Sequence, residues 1–98
     1  MVNELKYTKA YVKWFKKLND IVGKRLIASH INNLRCGKQC DTKHIDGSVY
    51  ELRIHYGPAY RVYYQQKGNK IIILLLGGNK TSQPHDIERA KELAKNED

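Results

Sequence analysis

Residues 49–65 contain two stretches in which apolar and polar side chains alternate, and this alternation limits the possible folds most strongly. The even-numbered positions of residues 49–56 and of residues 60–65 are all aromatic or aliphatic. A period of two is typical of strands with one buried face. Gly57-Pro58-Ala59 lies between the stretches and predicts a hairpin with a three-residue loop. The predicted cross-strand pairs are Tyr56 with Tyr60, His55 with Arg61, and Arg53 with Tyr63.

Helical periodicity precedes and follows this hairpin. Aromatic and aliphatic residues recur at helical spacing in residues 7–18 and again in residues 22–34. Asp20 is the predicted N-cap of the second helix, and Gly37 stands where a left-handed residue would end it. Pro84 is the predicted start of a last helix. The very short connection between the first two helices predicts a helical hairpin.

The remaining segments predict two further strands. The run Ile71–Leu76 is apolar on both faces, as a central strand would be, and residues 41–47 form a predicted edge strand. The sequence therefore predicts one α+β domain over residues 1–98. All helices, an N-terminal helical hairpin and a short C-terminal helix, should pack on one side of a four-stranded, largely antiparallel sheet.

The chain is strongly basic. Lysine and arginine outnumber the acidic residues 18 to 10, a formal net charge of +8, and residues 21–40 contain no acid. Such an excess predicts a polyanionic partner, most simply nucleic acid or the ribosome, although a solvated basic surface is the simpler alternative. The longest apolar run is too short to cross a bilayer, and the two cysteines lack disulfide-framework spacing. We therefore expect a cytoplasmic protein without a membrane partner.

The odd-numbered face of the hairpin holds the residues with potential chemistry. Arg53, His55 and Arg61 should lie close together there, and neighbouring cations disfavour one another unless an anion lies between them. An arginine fork matches two phosphate oxygens, and Tyr63 offers a ring on which a nucleobase can stack. Glu51 is either a partner for these cations or an ordinary exposed strand residue.

Other polar residues are expected near the same face. Lys80 follows the central strand and His85 stands at the start of the last helix, so both should reach the same end of the sheet. Either could instead be an ordinary surface residue. Lys43 and Gln65 complete, with Tyr63, the predicted RNA contacts.

A separate set of residues has the side-chain types of a zinc site. His30, Cys36, Cys40 and His44 are spaced six, four and four apart, but no Cys-x₂-Cys knuckle is present. Two free thiols are the favoured interpretation, with a structural zinc as the alternative. No phosphate-cradling glycine loop, nucleophile elbow or HExxH motif occurs, and no cofactor is expected.

Half of the chain resembles a known family. Residues 46–93, DGSVYELRIHYGPAYRVYYQQKGNKIIILLLGGNKTSQPHDIERAKEL, are similar to the phage-derived addiction-module killer proteins of the RelE/HigB toxin family. Members of that family have an ELRI-YGPGYRVY run, then an apolar strand, then GG-K-TQ--DI--AK-L. The resemblance implies a four-stranded sheet behind a helical hairpin and neutralisation by a helix-turn-helix antitoxin. In many members it also implies cleavage of mRNA on the ribosome.

Two residues are matched to the family motif one by one, and a third lies near a motif position. Arg61 matches the arginine of the YRV motif, and Lys80 matches the basic residue after the apolar strand. His85 lies near a position where related nucleases keep a tyrosine or a histidine, but the local spacing differs. Ala59 replaces the usual second glycine of the turn.

The mechanism predicted from this resemblance is metal-free endoribonuclease chemistry. A general base takes the proton of an RNA 2′-hydroxyl, which then attacks its own phosphate, while cations stabilise the charge that builds on phosphorus. The candidate bases are Glu51, His55 and His85, and the candidate cations are Arg61, Arg53 and Lys80.

Two alternatives come from other functional classes. The superfamily also contains ParE-type toxins that poison DNA gyrase and lack nuclease residues. A decayed toxin would act only as a co-repressor, binding operator DNA together with its antitoxin. Expression of a gyrase poison should cause DNA damage signalling, whereas expression of a decayed toxin should be harmless.

Overall fold

The computed structural model describes residues 2–96, which form five strands and three helices. In chain order these are β1 (Glu4–Tyr7), α1 (Lys9–Lys17), α2 (Ile21–Arg35), β2 (Thr42–Asp46), β3 (Val49–Ile54), β4 (Tyr60–Lys67), β5 (Ile71–Gly78) and α3 (Gln83–Asn96). The predicted α+β class is confirmed. None of the helices in this part of the chain is long and apolar enough to span a membrane.

Side-chain caps begin the first two helices. Thr8 Oγ1 accepts a hydrogen bond from the amide of Tyr11 at 3.0 Å and donates one to a β5 carbonyl at 2.6 Å. One hydroxyl therefore starts α1 and fastens it to the sheet. Asp20 Oδ1 accepts from the amide of Gly23 at 2.9 Å, which confirms Asp20 as the N-cap of α2. Gly37, with φ of 77°, follows α2 in the left-handed region, as predicted.

The strands form one mixed sheet in the order β1-β5-β4-β3-β2. β1 runs parallel to β5, whereas the other neighbouring strands are antiparallel. The four predicted strands are present, but the sequence pattern missed β1 and assigned Tyr7 to the first helix. In this short strand only Leu5 is half-buried and Tyr7 is exposed, so its residues have no alternating pattern to detect.

The β3–β4 hairpin has a register two residues away from the predicted one. Arg53 lies opposite Arg61, and Glu51 lies opposite Tyr63, because residues 55–59 all leave the strands and form a five-residue connection. The predicted pairs were therefore wrong. A shift of two residues leaves each side chain on its predicted face of the sheet but changes its neighbours.

Helices cover both faces of the sheet. α1 and α2 pack on the even-numbered face of β3 and β4, and the buried side chains there are Tyr11, Ile27, Ile31, Leu52, Ile54, Tyr60, Val62, Tyr64, Ile72 and Leu74. α3 packs on the opposite face through Ala90 and Ala94, against Val49, Tyr63 and Ile73. The prediction that all helices pack on one side was therefore wrong. α3 covers much of the face that was expected to be open to solvent or ligand.

The cysteine and histidine residues considered for zinc do not assemble. Cys36 and Cys40 are free thiols. His30 and His44 each hydrogen-bond a backbone carbonyl at 2.7 Å. Within the described residues, no group of three or more His, Cys, Asp and Glu side chains is arranged to hold a metal ion.

Close packing of Trp14 on Gly77 fixes α1 against the sheet. A Cβ atom at position 77 would lie 2.2 Å from the indole ring, which is shorter than any real contact. The ring of Tyr60 meets the same indole edge-on, with centroids 6.4 Å apart. The absence of a side chain at position 77 therefore sets how closely α1 can approach β5.

Gly77→Ala should lower the free energy of unfolding by about 1–3 kcal/mol, the usual cost of overpacking. In a Trp14→Leu background the same substitution should lower the free energy of unfolding by clearly less, because the ring that clashes with the new methyl group is absent. Denaturant melts of the four chains measure both costs. Equal costs in the two backgrounds would show that Trp14 does not impose the glycine.

Candidate active site

A buried carboxylate organises the polar residues on the odd-numbered face. Glu51 is fully buried, and its Oε1 accepts a hydrogen bond from Arg53 Nε at 3.0 Å. Arg61 Nη1 lies 3.5 Å from the same oxygen, at ion-pair distance. Gln83, the first residue of α3, donates from Nε2 to Glu51 Oε2 at 2.8 Å. These four residues, Glu51, Arg53, Arg61 and Gln83, are called the Glu51 cluster below.

The Glu51 cluster keeps its carboxylate ionised. Burial alone would raise the pKa of Glu51, but hydrogen bonds from Arg53 and Gln83 and the charges of the two arginines outweigh it. The pKa of Glu51 is therefore below its usual value. Its hydrogen bond to Arg53 in turn raises the pKa of that guanidinium. Since one carboxylate faces two guanidinium groups, the cluster retains one net positive charge.

Several buried donors in and beside the cluster lack a hydrogen bond, although Arg61 Nη1 is within ion-pair distance of Glu51. Among the described residues, Arg61 Nε, Arg61 Nη1 and the Tyr63 hydroxyl are buried without a hydrogen bond. Burial, followed by the nearby carboxylates of Glu51 and Asp86, raises the pKa of Tyr63, which stays neutral. Buried polar groups in native proteins are nearly always satisfied, so guanidinium donors without a hydrogen bond leave capacity for an acceptor such as a phosphate oxygen.

An exposed acid–base pair stands next to the cluster. His55 Nε2 contacts Asp41 Oδ2, and the two side chains are 71% and 45% exposed. The hydrogen bond from His55 lowers the pKa of Asp41. The amide of Arg53 donates to the carbonyl of Asp41 at 2.9 Å, which fixes the pair beside the end of β3. His55 is thus an accessible imidazole two residues beyond Arg53, oriented by a carboxylate.

The loop after β5 brings Lys80 to the same end of the sheet. The amide of Lys80 donates to the carbonyl of Pro58 in the hairpin loop at 3.3 Å, and its side chain is exposed. Gly78, two residues earlier, lies opposite Arg61 in the strand register. His85 is exposed on the first turn of α3, and no described contact joins it to the Glu51 cluster.

Of the three predicted RNA contacts, two are buried and one is exposed. Tyr63 is 0% exposed and Gln65 is 5% exposed, with Gln65 Nε2 donating to Ser48 Oγ at 3.0 Å, so neither offers an open surface to RNA. Lys43 is exposed on the edge strand β2, opposite Glu51 in the register. Of the two interpretations of Glu51, the partner for the neighbouring cations is confirmed and the exposed strand residue is wrong, because α3 covers this side chain.

Two polar residues of the site were missed by the sequence reasoning. Asp41 and Gln83 lie 14 and 32 positions from the residues that they contact. Both belong to segments without periodicity, so only the three-dimensional fold brings them into place. The one available signal was the position of Gln83 directly before Pro84, at the predicted start of the last helix.

Comparison with known proteins places the chain in a family. Residues 13–96 match the family described as phage-derived protein Gp49-like (DUF891). The chain belongs to this Gp49-like family. An uncharacterized protein of Haemophilus influenzae is 37% identical over 94 residues, which cover 96% of this chain and 95% of that protein. The predicted resemblance to a phage-derived family with a RelE-type fold is confirmed.

Solved structures show the same fold at low sequence identity. A doubly substituted variant of the E. coli toxin RelE in the free state has a TM-score of 0.67 and 17% identity, with 98% of each chain covered. HP0894 from Helicobacter pylori, described as a conserved hypothetical protein, has a TM-score of 0.54 and 22% identity, covering 83% of this chain and 97% of its own. This Gp49-like protein therefore has the RelE fold.

The loss of stability in acid should depend on Glu51. Because the folded state holds the pKa of Glu51 below the unfolded value of about 4.3, its stabilising contribution is complete above that pH and is lost as the pH falls through the lower folded-state value. Glu51→Gln should therefore lose less stability than the wild type between about pH 5 and about pH 2. Urea melts across this range measure the difference.

Asp46→Asn is the matched control for this measurement, since Asp46 is exposed on β2 and forms no ion pair with a described residue. It should retain the wild-type loss of stability in acid. If Glu51→Gln kept the wild-type dependence as well, the buried carboxylate would not be the group that links protonation to folding.

Proposed function

We propose that this protein is the toxin of a type II toxin–antitoxin system and acts as a ribosome-dependent mRNA endoribonuclease. The Gp49-like family and the RelE fold support the toxin assignment. The observation that supports nuclease chemistry is the side-by-side placement of Arg53 and Arg61 on one buried carboxylate, with two Arg61 donors that lack a hydrogen bond. This arrangement suits a phosphate whose negative charge increases during reaction.

The proposed reaction is attack by an RNA 2′-hydroxyl on the adjacent phosphate. The oxygen–phosphorus bond forms as the 2′-hydroxyl loses its proton, and the bond from phosphorus to the 5′-oxygen breaks. The products are a 2′,3′-cyclic phosphate and a 5′-hydroxyl end. Arg53, Arg61 and Lys80 stabilise the charge on the phosphorane oxygens. No step in this scheme requires a cofactor or a metal ion.

Within this scheme His55 is a better general base than Glu51. Glu51 is buried, bonded to two donors and holds a depressed pKa, so it is a weak base that the substrate cannot reach directly. His55 is exposed, and Asp41 orients its ring and stabilises the imidazolium that forms. His85 is the remaining candidate for protonating the leaving 5′-oxygen, because it is exposed on the first turn of α3.

The partners follow from the same proposal. The site presents few positioned groups, so we assign the orientation of the RNA largely to the ribosome, which supplies part of the rate enhancement. The net charge of +8 favours contact with ribosomal and messenger RNA. A helix-turn-helix antitoxin would neutralise the toxin in the cytoplasm, and the pair would bind operator DNA only as a complex.

Arg61→Ala should reduce mRNA cleavage on programmed ribosomes by about 10²–10³-fold, the usual loss when one transition-state donor is removed. Lys80→Ala should act in the same direction. Arg25→Ala removes the same charge from an exposed position on α2 and should cleave at the wild-type rate. Growth arrest on induction should follow the cleavage rates, and co-expression of the adjacent antitoxin should relieve it.

The outcomes separate the proposal from its alternatives. Cleavage by Arg61→Ala at the wild-type rate would place the active site elsewhere. Growth arrest without new mRNA ends, accompanied by DNA damage signalling, would assign a gyrase poison instead. Harmless accumulation of folded wild-type protein would assign a co-repressor without toxicity.

The choice of general base gives a second test. His55→Ala should lower the single-turnover cleavage rate by about 10²–10⁴-fold, whereas Asp41→Asn should lower it less, because Asp41 only orients the imidazole. His85→Ala, which removes another exposed histidine, should have the smaller effect of the two histidine substitutions. A greater loss for His85→Ala than for His55→Ala would transfer the role of base to α3.

A further inference from the structure

A polar cleft opens where β1 stops short along the edge of β5. β1 ends at Tyr7, opposite Leu74, so in the described part of the chain no strand lies beside Gly77 and Gly78 on that edge. α1 and α3 flank this unpaired strand edge, and the space between them has a volume of about 400 Å³. This volume lies within the range of small-molecule sites.

The rim of the cleft is cationic. Lys13 and Lys17, four positions apart on α1, face the cleft together with Arg89 of α3. All three side chains are exposed, and none forms an ion pair with a described residue. Three neighbouring cations without acidic partners favour an anion at the mouth of the cleft.

The inner end of the cleft has the opposite character. Asp86 is 8% exposed and accepts a hydrogen bond from Ser82 Oγ. Asn79 Oδ1 accepts hydrogen bonds from the backbone amides of Thr81 and Ser82 at 2.9 and 3.1 Å. These bonds fix the orientation of the Asn79 side chain and leave its NH₂ group able to donate to a ligand. A carboxylate acceptor and an amide donor therefore lie together at the depth of the cleft, where a second anion would be repelled.

Trp14 also lines the cleft, on Gly77, next to the Gly78 position that Asp86 contacts. Its indole packs on Gly77 from the α1 side and is half-buried. An aromatic ring beside a cationic groove is the usual arrangement for stacking a nucleobase. A base has hydrogen-bond donors and acceptors on its edge, and its phosphate bears the negative charge, so the three regions of the cleft match the three parts of a nucleotide.

We propose that this cleft binds one RNA nucleotide, with the base against Trp14 and its edge toward Asp86 and Asn79, and with the phosphate on Lys13, Lys17 and Arg89. Gly78 lines the cleft and is the cross-strand neighbour of Arg61, so the nucleotide lies beside the proposed cleavage site. That it belongs to the mRNA substrate rests on the proposed function. An acidic peptide fits less well, because Asp86 would face its carboxylates.

Trp14 is the only tryptophan of the chain, so its fluorescence reports on the cleft directly. The isolated protein is titrated with AMP, GMP, CMP and UMP, with inorganic phosphate and with a polyglutamate peptide, and inner-filter effects are corrected with free N-acetyltryptophanamide. We expect saturable quenching by the nucleotides, tighter binding of at least one base than of the others by threefold or more (roughly the discrimination of one weak hydrogen bond), and weaker binding of phosphate alone.

Variants connect the signal to the cleft. Lys17→Gln with Arg89→Gln should weaken nucleotide binding by about tenfold or more, in keeping with two lost charge-assisted contacts. Lys70→Gln, at the β4–β5 turn, should bind as the wild type does. Thermal melts establish that each variant is folded, which is expected because all three side chains are on the surface.

Each other outcome overturns the proposal. Equal binding of phosphate and all four nucleotides would show a site for anions alone. Preferential quenching by polyglutamate would assign the cleft to an acidic protein segment, and absence of saturable quenching would remove the site. Because no ribosome or cleavage step is involved, failure of the nuclease proposal would leave this result standing as nucleotide binding.

Discussion

Strand β5 is buried along both of its faces, and this requirement determines where every helix lies. From Ile72 to Gly78 no residue of the strand is exposed. An apolar strand of this kind needs a cover on each side of the sheet. α1 and α2 supply one cover and leave the other face to α3, which closes over the polar positions of β3 and β4. Each polar group buried in this way then needs a partner or a function.

The Glu51 cluster is the main result of that burial. Removing a carboxylate from water is unfavourable unless cations and hydrogen-bond donors compensate it, and Arg53, Arg61 and Gln83 do so here. The same compensation makes Glu51 a poor proton acceptor. The structural role and the proposed catalytic role therefore fall to different residues of the same strand end. Glu51 fixes the arginines, and in the proposed reaction the exposed His55 at the end of the strand would exchange protons with the substrate.

Periodicity was sufficient to predict most elements and the face of each residue in β3 and β4, but it could not predict which residues of separate segments come into contact. The hairpin register depends on Ala59, which has φ of 61°, a conformation that alanine does not signal. β1 is recognisable only from its partner, since Glu4–Tyr7 has no pattern of its own. The position of α3 could have been predicted, because the run Ile71–Leu76 was already seen to be apolar on both faces. Asp41 and Gln83 enter the site through the fold alone.

The parallel pairing of β1 with β5 also has a consequence for biosynthesis. Thr8 and its β5 partner Leu75 are 67 positions apart, so the edge of the sheet closes through one of the longest loops that the chain allows. At a translation rate of about 5–20 residues per second, β1 waits roughly 3–13 s before β5 has been synthesised. The strand that is made first is therefore among the last to pair, and the nascent chain completes its fold only when nearly all of it has been translated.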